Sequence, residues 1–208
     1  FAFSRRKAPA TPSKGAVSDV WIASWDGMQQ RLVIANRSDR WGWVPAGGSF
    51  FTMVDEQQVA SGGSGGGQVE SVGTLVRIDA HYRPDRSFEN VSTFTAASDN
   101  RLLYRQVPTN GETPGLFLWD GQDQRRLGDV ASVGLLNMQM AGSGAAYFIL
   151  GSDRVLSRLG NLTDTPQDLH ANVSRFLLRG DEKYATLSLS NAGTSTTVGL
   201  DLQSGKDI

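Results

Sequence analysis

"GLFLWDGQDQRRLG", residues 115–128, echoes "WIASWDGMQQRLV", residues 21–33. In both stretches an apolar run leads into Trp-Asp-Gly, and polar residues with an Arg follow. Trp25 and Trp119 lie 94 positions apart. Such an echo indicates either a chemical motif that is used twice or a structural unit that is repeated, and the rest of the chain decides between them.

Weaker relatives of this stretch recur along the whole chain. Strands that end in an Asp or Gly turn can be aligned on five anchors: Trp25, Asp79, Trp119, Leu159 and Leu200. Successive anchors are 54, 40, 40 and 41 residues apart, and the long first interval contains the Gly/Ser-rich insertion "ASGGSGGGQ" at 60–68. The sequence therefore predicts a structural repeat of about 40 residues, as found in propellers.

Strand patterns dominate each repeat. Short runs rich in aliphatic, aromatic and β-branched residues, such as "RLLYRQV" and "AAYFIL", are bounded by Gly, Asn, Asp, Ser or Pro. No long stretch keeps apolar residues at helical spacing. Each repeat contains four such strands, the number in a propeller blade. We predict an all-β fold: a β-propeller-like array of about five four-stranded blades, either complete or part of a larger propeller.

We interpret residues 1–208 as a single β-propeller or propeller fragment. The expected blades are 1–35, 36–92, 93–131, 132–171 and 172–208. The first repeat lacks an opening strand, and the last ends within its fourth strand. Because unpaired strand edges bind other strands, we expect association with a protein partner, or with further blades of the same or another chain.

The composition argues against several classes of function. The formal net charge is -1, so no basic excess predicts a nucleic-acid partner. The chain has no Cys, which excludes disulfides, thiolate metal sites and Cys nucleophiles. The two histidines, His81 and His170, share no helical spacing. We therefore expect neither a metal ion nor a cofactor.

Three sequence features bear on the compartment of the protein. No run approaches the roughly 18 apolar residues of a membrane-spanning helix, so we expect no membrane span. The start "FAFSRRKAP" has neither an initiator Met nor a signal-peptide core, which indicates a processed or excised piece. Since a Cys-free chain fits a bacterial envelope, we expect an exported protein, periplasmic or extracellular. Four glycosylation sequons begin at Asn36, Asn90, Asn161 and Asn172.

The aspartates of the two Trp-Asp-Gly tripeptides, Asp26 and Asp120, are the most tempting catalytic candidates. Asp tolerates the left-handed conformation and Gly has no Cβ, so Asp-Gly suits a tight hairpin turn. We therefore interpret both as turn residues and assign no catalytic residue. The glycine run at 62–67 lacks the Lys and the following helix of a phosphate-binding loop, and we interpret it as a flexible insertion.

The pattern "SDNRLLYRQ…GLFLWDGQDQRRL" resembles the TolB-type propeller repeat, which is also found in propellers attached to serine peptidases of the prolyl oligopeptidase class. "FAFSRR", "RGDEKYATLSLS" and "VGLDLQSGK" fit the same frame, so the resemblance covers essentially the whole chain. The usual repeat contains Ser-Pro-Asp-Gly, and this Pro is missing from every repeat here. The resemblance implies an architecture and little about activity, because propellers host many unrelated functions.

Loop position predicts where a binding surface lies. The long loops expected at 5–16, 56–72, 107–115 and 191–195 share one face with the blade connections at 35–40, 89–92, 129–132 and 170–174. Variable loops on a rigid scaffold commonly carry function. The candidate binding residues are Arg5, Arg6, Arg37, Asp39, Arg40 and Trp41. A solvated basic loop at 5–7 and a Trp41 that only packs between blades are the alternatives.

Three classes of function remain open. The first is a non-enzymatic propeller that binds or scaffolds protein, which the absence of a paired nucleophile and base favours. The second is an accessory or substrate-gating propeller of a larger hydrolase of the serine peptidase type. The third is a propeller with its own hydrolase or lyase site. The sequence leaves enzymatic activity undecided and favours the binding module.

Overall fold

The computed structural model describes residues 2–7, 17–24, 26–38, 44–61, 68–108, 112–130, 137–191 and 194–208. Within these ranges the chain forms strands, turns and bends, with no α-helix. Three of the predicted binding residues, Asp39, Arg40 and Trp41, lie outside the described residues, as do Trp25 and the insertion at 62–67.

The described residues form eighteen β-strands. In chain order they are β1 (Ala2–Lys7), β2 (Val17–Ala23), β3 (Gln30–Ser38), β4 (Val44–Ala46), β5 (Ser49–Ser61), β6 (Gln68–Ile78), β7 (Pro84–Ala96), β8 (Leu102–Gln106), β9 (Gly115–Trp119), β10 (Gln124–Asp129), β11 (Met138–Met140), β12 (Ala146–Leu150), β13 (Val155–Leu159), β14 (Gln167–His170), β15 (Val173–Leu178), β16 (Tyr184–Asn191), β17 (Thr194–Asp201) and β18 (Lys206–Asp207).

The strands pair with their sequence neighbours in up-and-down order. The last eight form two four-stranded antiparallel sheets, β11–β14 and β15–β18. The first ten form one sheet in the order β1-β2-β3-β5-β6-β7-β8-β9-β10, with β4 beside β5. The predicted all-β fold of blade-like four-stranded repeats is confirmed. The boundaries proposed for the individual blades stay a prediction.

The chain divides into two compact units. Unit 1 contains residues 1–92 and 107–112, and unit 2 contains residues 93–106 and 113–208. One described hydrophobic cluster of unit 1 is aliphatic and includes Val20, Val54 and Ile78, and Phe51 and Phe88 are also buried in this unit. Unit 2 has two clusters, one around Leu118 and Phe148 and the other around Phe176 and Leu187.

Burial within unit 2 follows strand position in the repeat. The second strands β8 and β12 are buried on both faces, so their sequences "LLYRQ" and "AYFIL" lack the alternation of a half-exposed strand. The fourth strand β10, "QRRLGD", has no buried residue. Burial therefore decreases from the apolar second strand to the polar fourth strand.

Three bends share the sequence Asn-Xaa-Ser, at 36–38, 90–92 and 172–174. The Asn of each bend has a left-handed backbone, with φ values of 54°, 56° and 59°. Asn adopts this conformation more readily than most residues with a side chain. These three sequons therefore have a structural explanation: each marks the bend at which one four-stranded repeat passes into the next.

These bends show how two of the predicted blade connections are built. Residues 35–38 and 89–92, predicted as parts of blade connections, belong to β3 and β7. A single left-handed Asn bends the strand, and the register shifts locally between β6 and β7 while pairing continues on either side. A separate loop is therefore unnecessary at either position.

Parts of the loops predicted at 5–16 and 56–72 are also strands in the structure. Residues 5–7 belong to β1, and β5 and β6 continue as a paired hairpin from Gln57↔Val72 to Ser61↔Gln68. The polar side chains of this hairpin suggested a loop. Its pairing, however, uses backbone groups, which every residue except Pro supplies in full.

We predict that the bend at Asn90 tolerates Gly better than Ala. A left-handed backbone costs a residue with a Cβ about 1–2 kcal/mol, whereas Gly adopts it freely. Asn90→Ala should lower the free energy of unfolding by about 1 kcal/mol, and Asn90→Gly by less than about 0.5 kcal/mol. Urea unfolding measures both, and an equal loss in the two variants would contradict the role of φ.

Candidate functional site

Antiparallel strand order gives every blade two ends. Segments that join the first strand to the second, and the third to the fourth, lie at one end, here called the turn end. Segments that join the second strand to the third, and one blade to the next, lie at the other, here called the connection end. The sequence places the candidate binding surface at the connection end.

Four aspartates follow the third strands of their repeats and share one role at the turn end. They are Asp26, Asp79, Asp120 and Asp201. Each carboxylate accepts backbone N–H groups of its own turn: Asp120 accepts from Gln122 and Asp123, both at 2.9 Å. Asp79, Asp201 and Asp26 do the same, the last with help from the hydroxyl of Ser24. Asp26 and Asp120 therefore stabilise their own turns by accepting hydrogen bonds.

These hydrogen bonds change the acidity of the turn aspartates. Hydrogen bonds from Gln122 and Asp123 hold the pKa of Asp120 below its ordinary value, and the Ser24 hydroxyl does so foremost for the pKa of Asp26. The turns differ from the expectation in one detail. The positive φ belongs to Gly27 and Gly121, at 72° and 107°, and neither Asp is left-handed. Asp serves as the hydrogen-bond acceptor and Gly as the left-handed residue.

The Arg that follows each Trp-Asp-Gly has a matching role at the turn end. In unit 1, the Arg31 guanidinium donates to the carbonyl oxygens of His81 and Tyr82, both at 3.2 Å. In unit 2, Arg125 donates to the carbonyls of Leu162 and Asp164, at 2.8 and 2.5 Å. Both arginines are the second residue of a fourth strand, and both bind the turn between the third and fourth strands of the following repeat.

Further side chains connect the turns of unit 2. Arg101 forms an ion pair with Asp99 at 2.6 Å and donates to the carbonyls of Gly160 and Ser143, at 2.5 and 3.1 Å. The carboxylate of Glu182 accepts the N–H and the hydroxyl of Ser143, at 2.7 and 2.5 Å. Charged groups at the described turn end of unit 2 are thus largely engaged within the protein.

The connection end of unit 2 contains a cleft of about 420 Å³. Its lining comes from three consecutive repeats and includes Thr113, Val130, Ile149, Ser152, Arg154 and Val173. The second-to-third strand loop of one repeat is bound to the next connection, because Asn172 and Val173 donate their N–H groups to the carbonyls of Asp153 and Arg154, each at 3.0 Å. Two backbone hydrogen bonds therefore hold this side of the cleft.

The sequence did not single out this cleft. Its loop, "GSDR" at 151–154, joins β12 to β13 in four residues, so it did not stand out among the longer loops. The signal that marks it is conformational: Gly151 and Arg154 both have positive φ, at 75° and 50°. For Arg such a backbone is uncommon.

The described candidate residues lie on adjoining strands of unit 1. Arg6 and Arg37 both pair with Ser18, from opposite sides of β2, and Arg5 pairs with Asp19. The Arg5 guanidinium lies 5.7 Å from the centroid of the Trp21 ring, within cation–π range. The backbone thus brings the three arginines into neighbouring rows. They lie in strands rather than in the expected loops.

Acidic residues beside these arginines support the first Asn-Xaa-Ser bend. The Asn36 N–H donates to Asp19 and its side-chain amide donates to Asp55, both at 3.1 Å. The hydroxyls of Ser38 and Ser71 donate to the two oxygens of Glu56. These carboxylates therefore help to fix the bend.

In the described ranges, no cluster of three or more His, Asp or Glu side chains is placed to hold a metal ion. No helix in those ranges has the length and apolar character needed to cross a membrane.

No protein-family model and no curated protein matches the sequence. Solved structures do match. Dipeptidyl peptidase 4 of Porphyromonas gingivalis is 10% identical with a TM-score of 0.56, over 99% of this chain and 33% of that protein. TolB of Acinetobacter baumannii is 16% identical with a TM-score of 0.48, over 99% and 51%. The acylaminoacyl peptidase of Pyrococcus horikoshii is 11% identical with a TM-score of 0.44, over 88% and 34%.

These structures are similar to the chain in fold. The likeness to dipeptidyl peptidase 4 confirms, at the level of fold, the predicted resemblance to propeller repeats of the TolB and peptidase type. The chain spans between a third and a half of the length of these proteins. At such low identity the likeness shows the fold alone, and function has to be argued from the site.

The two adjacent arginines of β10 should differ in their effect on stability. Arg125 donates to two backbone carbonyls at 2.8 and 2.5 Å, whereas Arg126 forms an exposed ion pair with Asp129 at 2.5 Å and a longer, exposed hydrogen bond to the Thr113 carbonyl at 3.3 Å. Charge-assisted hydrogen bonds contribute about 1.5–3 kcal/mol, and exposed ion pairs about 0–1 kcal/mol. Because Arg125 is half-buried, we expect Arg125→Gln to cost about 1–2 kcal/mol, measured by urea unfolding. An equal loss from the control Arg126→Gln would contradict the role of the turn carbonyls.

We also predict a pH dependence from Asp120. Since its pKa is lowered in the folded chain, its stabilisation is complete above its unfolded pKa of about 4 and is lost as pH falls through the folded pKa. Asp120→Asn retains an acceptor oxygen but does not titrate. Below about pH 4, its melting temperature should therefore fall less steeply than that of the unaltered chain. Parallel curves in thermal unfolding at successive pH values would contradict this assignment.

Proposed function

We propose that the chain is a non-enzymatic β-propeller module that binds a protein at its connection end. The observation that carries the proposal is the cleft of about 420 Å³ at the connection end of unit 2. Ligand sites in proteins are typically concave, with an apolar lining and a few placed polar groups. Val130, Ile149 and Val173 supply an apolar lining here, and Ser152 and Arg154 supply polar groups.

Side chains at the turn end of unit 2 already have partners within the protein, which supports the connection end as the binding face. At the turn end, Asp120, Arg125 and Glu182 are engaged with turn backbone. At the connection end of unit 2, backbone hydrogen bonds hold the loop at 151–154, which leaves the exposed side chain of Arg154 available for contacts. A rigid backbone with available side chains favours binding, because little conformational entropy is lost on association.

In unit 1 we propose that the binding surface includes the residues named from the sequence: Arg5, Arg6, Arg37, Asp39, Arg40 and Trp41. The pairing of β1 and β3 with β2 supports a shared position for the three arginines. Further blades, of the same or another chain, are a second proposed kind of partner. We also propose an exported location, periplasmic or extracellular, on the expectation that a Cys-free chain fits a bacterial envelope.

An accessory or substrate-gating propeller within a larger hydrolase is the alternative. The likeness to dipeptidyl peptidase 4 favours it, since the chain matches 33% of the length of that protein. A serine-reactive fluorophosphonate probe discriminates between the two functions when applied to the protein purified from its native source. Labelling of a chain larger than 22.4 kDa that contains this sequence would establish the alternative.

Site-specific photocrosslinking tests the proposed face. A benzophenone amino acid is placed either at Ser152, at the connection end, or at Gln122, at the turn end, and both positions are exposed. In extracts of the native source we expect a discrete adduct from position 152 that excess unlabelled chain suppresses, and none from position 122. An adduct from position 122 alone would contradict the proposal.

A further inference from the structure

We infer that the cleft at the connection end of unit 2 recognises an acidic peptide segment, with Arg154 binding its carboxylate. This inference rests on the proposed function and adds the chemistry of the ligand. It depends on the placement of one cation, on the apolar residues beside it, and on the rigidity of the surrounding backbone.

Of the two charged side chains that line the cleft in the described ranges, one forms an ion pair and the other does not. Its ionisable lining residues in the described ranges are Asp129 and Arg154. Asp129 forms an ion pair with Arg126 at 2.5 Å. The exposed Arg154 guanidinium, by contrast, makes no hydrogen bond or ion pair with any described residue. A carboxylate is the complementary group, because the guanidinium fork matches its two oxygens.

The apolar lining indicates what accompanies this carboxylate. Val130, Ile149 and Val173 line the cleft and are at most 7% exposed. They belong to the two hydrophobic clusters of unit 2, so their positions are fixed by the core. An aliphatic side chain next to the acidic residue would cover the small surface that Val130 and Ile149 leave exposed. The favoured ligand is therefore a peptide that carries an aliphatic residue beside Asp or Glu.

The position of Arg154 is set by its backbone. Its N–H donates to the Gly151 carbonyl at 3.3 Å, and its own carbonyl accepts the N–H of Val173 at 3.0 Å. The left-handed φ of 50° fixes the direction in which the side chain leaves the loop. The loop backbone is therefore ordered before a ligand binds, and the loss of freedom on binding is limited to the Arg154 side chain.

Peptide titration followed by NMR tests this inference with the full chain. The probes are the blocked tetrapeptide acetyl-Ala-Leu-Asp-Ala-amide and its Asn counterpart. We expect the Asp peptide to shift the amide signals of Gly151, Ser152 and Ser174 and to bind about tenfold more tightly than the Asn peptide. The preference should decrease as salt is raised, because the contact is partly exposed.

Charge-loss variants identify the cation. Arg154→Gln should abolish the preference for the Asp peptide, and Arg154→Lys should retain part of it because the charge remains. The matched control is Arg179→Gln, which removes an exposed Arg from the turn end of unit 2 and should leave the preference unchanged. Equal binding of the two peptides, or a preference that survives Arg154→Gln, would overturn the inference.

The two proposals fail in different ways. A specific crosslink at position 152 together with equal binding of the two peptides rejects the acidic ligand and leaves the binding face supported. Peptide shifts confined to turn-end residues, such as Gln122 and Glu182, reject both the cleft and the proposed face.

Discussion

Every tight turn exposes backbone groups that the strand ladder cannot pair, and this fold depends on side chains that satisfy them. The Asp of Trp-Asp-Gly accepts the N–H groups of its own turn. The Arg five residues later donates to the carbonyls of the next repeat's turn, as Arg31 and Arg125 show in separate units. The repeated stretch therefore supplies two kinds of hydrogen bond: one within its own turn, accepted by Asp, and one to the turn of the next repeat, donated by Arg.

This arrangement separates the stabilising and the available parts of each unit. At the turn end, the turn aspartates accept hydrogen bonds within their own turns, which lowers their pKa values, and arginines donate to the turns of the following repeats. At the connection end of unit 2, backbone hydrogen bonds from Asn172 and Val173 hold the loop at 151–154. The exposed side chain of Arg154 is not used to hold this loop, which is the condition for a binding surface.

Local patterns predicted much of the fold and little of the site. The buried second strand "LLYRQ" and the polar fourth strand "QRRLGD" follow from composition, and so does the turn role of Asp120. The partners of Arg125 could not be predicted, because its acceptors lie 37 and 39 residues away and are backbone atoms. Arg154 was missed because its distinguishing property is a backbone angle, and the loop that holds it has only four residues.

Strand β7 has a consequence for how this chain can be divided. The boundary between the two units falls inside it, between Ser92 and Thr93, and residues 107–112 return to unit 1 from within the segment of unit 2. Neither unit is therefore a contiguous stretch of sequence. A gene fragment cut at this boundary would split a paired strand, so exchange of repeats during evolution is better accommodated at the hairpin turns within a blade than between the units.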